Sequence, residues 1–125
     1  MNTTPEHNER IAKLTFAEVY PLYLKKIIRK GRTQDELDEV ITWLTGLDKK
    51  SMEDLISEKV TFEVFFNRAT LNPDANQIKG VICGYRIEEI QNPLTRNIRY
   101  LDKLVDELAS GRKLDKIIRT FNHQQ

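Results

Sequence analysis

Short amphipathic helical patterns, begun by a capping residue and ended by glycine, constrain the fold of this chain more than any other feature. Thr15 and Thr33 each precede a glutamate by three positions, the capping-box spacing in which two side chains satisfy exposed N–H groups at a helix start. Apolar residues then recur three and four positions apart, as on one buried helical face. Gly31, Gly46 and Gly111 each follow such a pattern, as C-terminal caps do. The pattern predicts an all-α fold.

Three more helix starts follow from the same reasoning. Ser51 and Thr61 precede short apolar patterns, and Asn92 precedes a proline that suits the first helical position. Pro21 lies inside the pattern that begins at Thr15, and because proline removes a backbone donor, we expect two segments there, about 15–20 and 21–30. The apolar face of the last predicted helix consists of Leu114, Ile117, Ile118 and Phe121.

Residues 78–90 fit two kinds of secondary structure. Their apolar positions match a helical face, yet every second residue from Val81 to Ile87 is also suited to a strand. We expect a helix, because a strand needs a partner and no other segment shows convincing alternation or a hairpin turn. Gly80 and Gly84 fit neither structure well.

Length and composition point to one core. A chain of 125 residues, 39% of them apolar and 31% charged, is long enough for one globular core and short for two. We therefore expect a single helical domain over residues 1–125, a compact orthogonal bundle of six to seven short helices. Its ordered core should span about residues 10–121, with frayed polar ends.

No feature predicts a membrane protein or a secreted one. The longest apolar runs are about three residues, far short of the roughly 20 that cross a bilayer, and the polar N-terminus lacks the pattern of a secretion signal. One cysteine cannot form an internal disulfide, which agrees with a reducing compartment. We expect a cytoplasmic protein.

Several segments together resemble a known bacterial family, domain of unknown function 2200. The resemblance covers roughly residues 10–119 and implies a single all-helical domain of a bacterial cytoplasmic protein. It implies no activity and supplies no catalytic residues. The segments that carry it are Val19-Tyr20-Pro21-Leu22-Tyr23, Lys30-Gly31-Arg32-Thr33, Trp43-Leu44-Thr45-Gly46, Ile78-Lys79-Gly80-Val81-Ile82-Cys83-Gly84 and Ile98-Arg99-Tyr100-Leu101-Asp102-Lys103-Leu104-Val105-Asp106-Glu107-Leu108.

Cys83 and Arg86 are the candidates for catalytic chemistry. A thiolate close to a guanidinium can have a lowered pKa and act as a nucleophile, whereas a small cysteine between apolar residues is more often part of the core. The histidines, His7 and His123, lie near the two ends of the chain, so we expect neither a Cys–His pair nor a metal site. No phosphate-loop or cofactor motif occurs, and we expect neither a cofactor nor an enzyme.

A basic segment is the main candidate for binding. Five cations without an intervening acid fall within eight residues, although the net charge of the whole chain is only +1. Such a face could contact nucleic-acid phosphates, but the two following helices are rich in acids that would oppose a polyanion. Our leading hypothesis is a non-catalytic module that binds another protein or itself, with nucleic-acid binding and an enzyme site at Cys83 as alternatives. The five cations are Lys25, Lys26, Arg29, Lys30 and Arg32.

Overall fold

The fold is mostly helical, as the sequence predicted. The computed structural model describes residues 3–118, in which seven α-helices accompany one two-stranded antiparallel hairpin. Two 3₁₀ helices, Pro73–Gln77 and Ile87–Glu89, flank the hairpin. The α-helices are α1 (Pro5–Ala12), α2 (Phe16–Arg29), α3 (Gln34–Thr45), α4 (Lys49–Ser57), α5 (Phe62–Arg68), α6 (Pro93–Ala109) and α7 (Leu114–Ile117), and the strands are β1 (Val81–Ile82) and β2 (Tyr85–Arg86).

Helix α6 lies at the centre of the molecule. It packs against α1, α2, α3, α5, α7 and β1, and its apolar positions are buried along most of its length. On one side of the core, Phe16 of α2 stacks on Phe65 of α5 with ring centroids 4.3 Å apart. The backbone reinforces this contact, because Phe16 N donates to Val60 O and Phe62 N donates to Leu14 O, which joins the starts of α2 and α5. None of the helices within residues 3–118 is long and apolar enough to cross a membrane.

Local capping explains most helix starts. Both capping boxes are present, with the Thr15 and Thr33 hydroxyls accepting from the N–H groups of Glu18 and Glu36. Thr61 and Asn92 also cap their helices as predicted. The predicted start at Ser51 is wrong. Helix α4 begins one turn earlier because the Asp48 carboxylate accepts from the Ser51 N–H at 2.8 Å and so acts as the cap.

The predicted break at Pro21 is also wrong, since α2 is continuous from Phe16 to Arg29. Pro21 is exposed, so the carbonyl of Ala17, which loses its helical donor, lies towards the solvent side of the helix. At the N-terminus, helix begins at Pro5, before the ordered core was expected to start. Phe121, predicted to lie on the last helix, is outside the described residues.

The predicted helix over residues 78–90 is wrong, because the centre of this segment is a β-hairpin. Val81 pairs with Arg86 and Ile82 with Tyr85, and Ile87 N donates to Gly80 O at 2.8 Å. Cys83 and Gly84 form the two-residue turn with φ of +54° and +82°, the left-handed values that a type I′ turn needs. The strand partner therefore lies within the segment itself, and the backbone groups are satisfied locally.

Candidate functional site

The outer side of α2 carries most of the predicted basic residues. We call Lys25, Lys26, Arg29 and Lys30 the basic face; all four side chains are exposed. Lys26 forms an ion pair with Asp106 of α6 at 3.3 Å. Among the described residues, the other three have no acidic partner within 4 Å. Three cations of one helix thus remain available to a negatively charged ligand.

Arg32 lies apart from the basic face and contacts the interior. Its guanidinium donates to the backbone oxygens of Leu108 and Arg112 at 3.2 and 2.7 Å, and it pairs with Glu36 at 2.9 Å. The hydrogen bond from Arg32 is the main cause that lowers the pKa of Glu36. Arg32 therefore connects the start of α3 with the end of α6, and the surface available for binding does not include it.

Two large apolar side chains lie beside the basic face. Leu22 is 64% exposed and Ile28 is 54% exposed, although α2 buries its opposite face in the core. Depressions of about 410 and 420 Å³ run along this side of the helix and share Lys25 and Arg29 as lining residues. The exposed half of α2 is thus cationic and apolar at once, a combination typical of protein contact surfaces.

Cys83 and Arg86, the candidates for catalytic chemistry, both lie on the hairpin. The Cys83 side chain is exposed at the tip of the hairpin, so the alternative position in the core is wrong. Arg86 is half exposed and lies 3.7 and 3.9 Å from the carboxylates of Glu88 and Glu89. Within the part of the chain that is described, the thiol has no hydrogen-bonding partner that could serve as a base.

A polar cluster joins α1, α2, α6 and the hairpin. The Tyr23 hydroxyl donates to Asp102 at 2.5 Å, and Arg99 donates to the second oxygen of the same carboxylate at 2.8 Å. Arg99 also reaches His7 Nε2 at 3.1 Å. The centroid of the Tyr85 ring lies 5.4 Å from the centroid of the His7 ring. The guanidinium carbon of Arg99 lies 5.7 Å from the same Tyr85 centroid. We call these five residues the polar cluster.

The electrostatics of the polar cluster favour neutral His7 and neutral Tyr23. Partial burial lowers the pKa of His7 below its ordinary value, and the charges of Arg99 and Arg10 lower it further. Burial raises the pKa of Tyr23 well above its usual range, and the Asp102 carboxylate adds to this shift. Tyr23 is therefore a permanent donor at neutral pH, whereas His7 can accept at one ring nitrogen.

A small polar cleft lies between α2, α3 and α4. Its volume is about 60 Å³, and the Tyr20 hydroxyl in its wall donates to Asp38 and accepts from Gln34. Burial and the Asp38 hydrogen bond raise the pKa of Tyr20 to about 12. Lys49 lies 4.0 Å from Asp38 at the cleft edge, so the half-buried carboxylate is already partnered.

Comparisons with known proteins place the chain in a bacterial family. A family model described as "uncharacterized protein conserved in bacteria", domain of unknown function 2200, matches residues 10–119. The chain belongs to this family. Domain of unknown function 2200 thus covers the basic face, the hairpin and all of the polar cluster except His7, over the range that the sequence resemblance indicated.

A solved structure supports the fold of this family member. The crystal structure of an uncharacterised protein, SP1917, is 36% identical in sequence and superposes with a TM-score of 0.85. The match covers 94% of this chain and 97% of that one, so the two folds correspond over nearly their full lengths. A comparison with curated proteins finds no match.

Sequence reasoning found the basic face of this family member but missed its polar cluster. His7 was set aside as part of a mobile end, yet it lies on α1 and contacts Arg99, 92 positions away. Tyr23 and Asp102 are 79 positions apart. No local spacing signals contacts of this range. Within residues 3–118, no three His, Cys, Asp or Glu side chains converge as metal ligands.

Proposed function

We propose that this bacterial protein is a non-catalytic interaction module that binds an acidic amphipathic segment of another protein through α2. The observation that carries the proposal is the exposure of Leu22 and Ile28 next to three cations without acidic partners. A partner helix with a leucine stripe flanked by glutamates would complement both properties of this surface. We place the module in the cytoplasm, where reducing conditions keep an exposed thiol such as Cys83 free.

The spacing along α2 supports a helical or extended partner rather than a point contact. Leu22, Lys25 and Arg29 follow one another at three and four positions and so lie along one line of the helix surface. Pro21, Lys25 and Ile28 form a second line that crosses the first at Lys25. A segment lying along α2 would cover the two apolar side chains while its acids reach Lys25 and Arg29, which lie between them.

Nucleic acid and membrane fit this surface less well. A phosphate backbone would leave Leu22 and Ile28 uncovered, and the first turn of the next helix carries the acidic residues Asp35 and Glu36. Stable membrane binding by a surface helix needs a large inserted apolar face. The main apolar face of α2, including Tyr23 and Ile27, is instead buried in the core.

A designed peptide provides the test, because it carries the proposed chemistry without requiring a known partner. We expect a fluorescent peptide helix with a leucine stripe flanked by glutamates to bind the protein and to bind more weakly at high salt. A scrambled peptide of the same composition and a peptide with lysines in place of glutamates should not bind. The measurement is fluorescence anisotropy at several salt concentrations.

Two pairs of variants test whether the peptide binds at the basic face rather than through any exposed cation or apolar side chain. We expect Lys25→Glu with Arg29→Glu to weaken the peptide affinity at least about tenfold, since each exposed ion pair contributes up to about 1 kcal/mol and reversal adds repulsion. Lys113→Glu with Lys116→Glu, two exposed cations near α7, is the matched control. Leu22→Ser with Ile28→Ser should also weaken binding, whereas Val81→Ser, at a side chain 50% exposed on the hairpin, should not.

Three results would contradict the proposal. Equal losses in the α2 variants and their controls would mean that binding is not located on this surface. Tighter, salt-dependent binding to single-stranded RNA or to vesicles of anionic lipid than to the peptide would assign the face to those ligands. A stable dimer in sedimentation that Leu22→Ser with Ile28→Ser dissociates would assign it to a second copy of the chain.

A further inference from the structure

His7 lies between two arginines in an arrangement that the protein alone does not satisfy. Arg10 Nη2 lies 3.1 Å from His7 Nδ1, and Arg99 Nη2 lies 3.1 Å from His7 Nε2. A guanidinium only donates, and a neutral imidazole accepts at one nitrogen and carries a hydrogen on the other. In either tautomer, therefore, one of the two arginines faces a ring N–H group, so that two donors meet without an acceptor.

The positive charge around His7 exceeds the negative charge that the fold supplies. Asp102 pairs with Arg99 on the inner side, where Tyr23 donates to it as well. Arg10, which is exposed, has no carboxylate within 4 Å among residues 3–118. The Nε atom of Arg99 is buried and has no hydrogen-bond partner within this same part of the chain. The two guanidinium groups beside His7 are thus accompanied by one carboxylate, Asp102, which contacts Arg99 but not Arg10.

Each element packed around His7 contributes a group that an anion would meet. Arg10 comes from α1 itself, Arg99 and Asp102 come from α6, and Tyr85 comes from the hairpin. Arg10 is exposed, whereas His7 and Tyr85 are half-buried, so the outer side of the group is open to solvent while Asp102 lies on the inner side. Bidentate guanidinium donors are the usual protein partners of tetrahedral oxyanions.

We propose that His7, Arg10 and Arg99 form a binding site for a doubly charged tetrahedral oxyanion, such as a sulfate or a phosphate group. The anion accepts from Arg10 and from His7, which takes up a proton on binding and becomes a donor at both ring nitrogens. Arg10 then turns from the imidazole to the anion, which relieves the donor–donor contact at Nδ1, and the two charges of the anion offset the imidazolium that remains beside Arg99. The site is separate from the basic face of α2 and does not depend on the proposed function.

Sulfate is the appropriate first probe, because its charge is constant where histidine titrates, whereas a phosphate monoester gains a proton near pH 6. With one proton taken up, the sulfate affinity should rise by up to about tenfold for each unit that the pH falls towards the pKa of His7 in the free protein, and level off below it. Calorimetric titration at about pH 8, 7 and 6 measures this slope. Inorganic phosphate is the second probe, and acetate, with one charge, should bind more weakly.

The NMR signal of the His7 ring gives a readout that requires no variant. We expect saturating sulfate to raise the pKa of His7 in the intact protein, because the anion stabilises the imidazolium. An unchanged titration curve of His7 at saturating sulfate would overturn the proposal. Because the chain has two histidines, the spectrum of His7→Gln identifies which of the two ring signals belongs to His7.

Variants of α1 locate the site. Arg10→Gln should weaken sulfate binding at least about tenfold, and His7→Gln should remove the pH dependence, since glutamine cannot take up a proton. Lys13→Gln is the matched control, because Lys13 is an exposed cation at the end of the same helix and pairs with Glu9. Equal losses in Arg10→Gln and Lys13→Gln, or an unchanged pH slope in His7→Gln, would refute a site at His7. Circular dichroism checks that each variant is folded.

Discussion

Replacement of Cys83 by asparagine is expected to stabilise the fold. Cys83 occupies the first position of the hairpin turn with φ of +54°, a left-handed conformation that costs a residue with a Cβ atom roughly 1–2 kcal/mol. Asparagine is enriched in this region and, followed by glycine, is the preferred sequence of a type I′ turn. The Cys83 side chain is exposed, so its removal loses little packing.

The expected gain is about 0.5–1 kcal/mol in the free energy of unfolding, because asparagine relieves part of the left-handed cost rather than all of it. For a chain of this size, the gain corresponds to an increase in Tm of about 2–5 °C. Urea unfolding followed by circular dichroism, with reductant present for the wild type, measures the change. Cys83→Ser should be nearly neutral, because serine has a similar size but lacks the preference of asparagine for the left-handed conformation. Cys83→Val should be destabilising, because valine is β-branched.

The order of the three variants decides whether the reasoning is correct. If residues 78–90 were helical and Cys83 buried, asparagine would bring an unsatisfied amide into the core at a cost of about 1–3 kcal/mol. Destabilisation by Cys83→Asn, or equal stabilities of the asparagine and serine variants, would therefore refute the turn conformation as the source of the effect.

Two further predictions concern contacts between distant parts of the chain. Arg32→Lys should lower the free energy of unfolding, measured in urea, by about 1–3 kcal/mol, because lysine cannot reproduce the forked contacts with Glu36 and the end of α6. Arg29→Lys, on the surface, should change it by less than about 0.5 kcal/mol. Equal effects of the two would exclude Arg32 as a connection between helices. The stability of the wild type should fall relative to His7→Gln as the pH drops below about 6.5, because the lowered pKa in the folded state lets the unfolded state bind more protons there. Parallel pH profiles of the two proteins would show that His7 titrates alike in both states.

Features set by a few neighbouring residues could be predicted from the sequence. The capping box of Thr33 and Glu36 depends only on residues three positions apart, and the continuous apolar face of α6 follows from its helical period. The effect of Pro21 could not be predicted in this way. Whether a proline breaks a helix depends on which side of the helix meets solvent, and packing against the rest of the chain decides that.

The two candidate sites also differ in whether they depend on neighbouring or on distant residues. The basic face belongs to one helix, so its cations could be recognised from the sequence alone. The sequence also assigned Arg32 to this face, and the tertiary contacts of Arg32 with Leu108 and Arg112 show that it lies elsewhere. The polar cluster consists of residues that are far apart in the sequence. His7 alone is an ordinary histidine of a polar terminus, and it becomes unusual only where Arg99 meets it.

The hairpin connects the error in the fold with the error in the site. The sequence left two positions open for Cys83, one beside Arg86 as a nucleophile and the other in the core. The two-residue turn instead exposes Cys83 and brings Tyr85 of the second strand beside His7 and Arg99. Each strand has only two residues, so alternation could not identify them. The turn that exposes Cys83 is therefore the same turn that completes the polar cluster, and a helix-forming substitution at Gly84 should disrupt both the turn and the cluster.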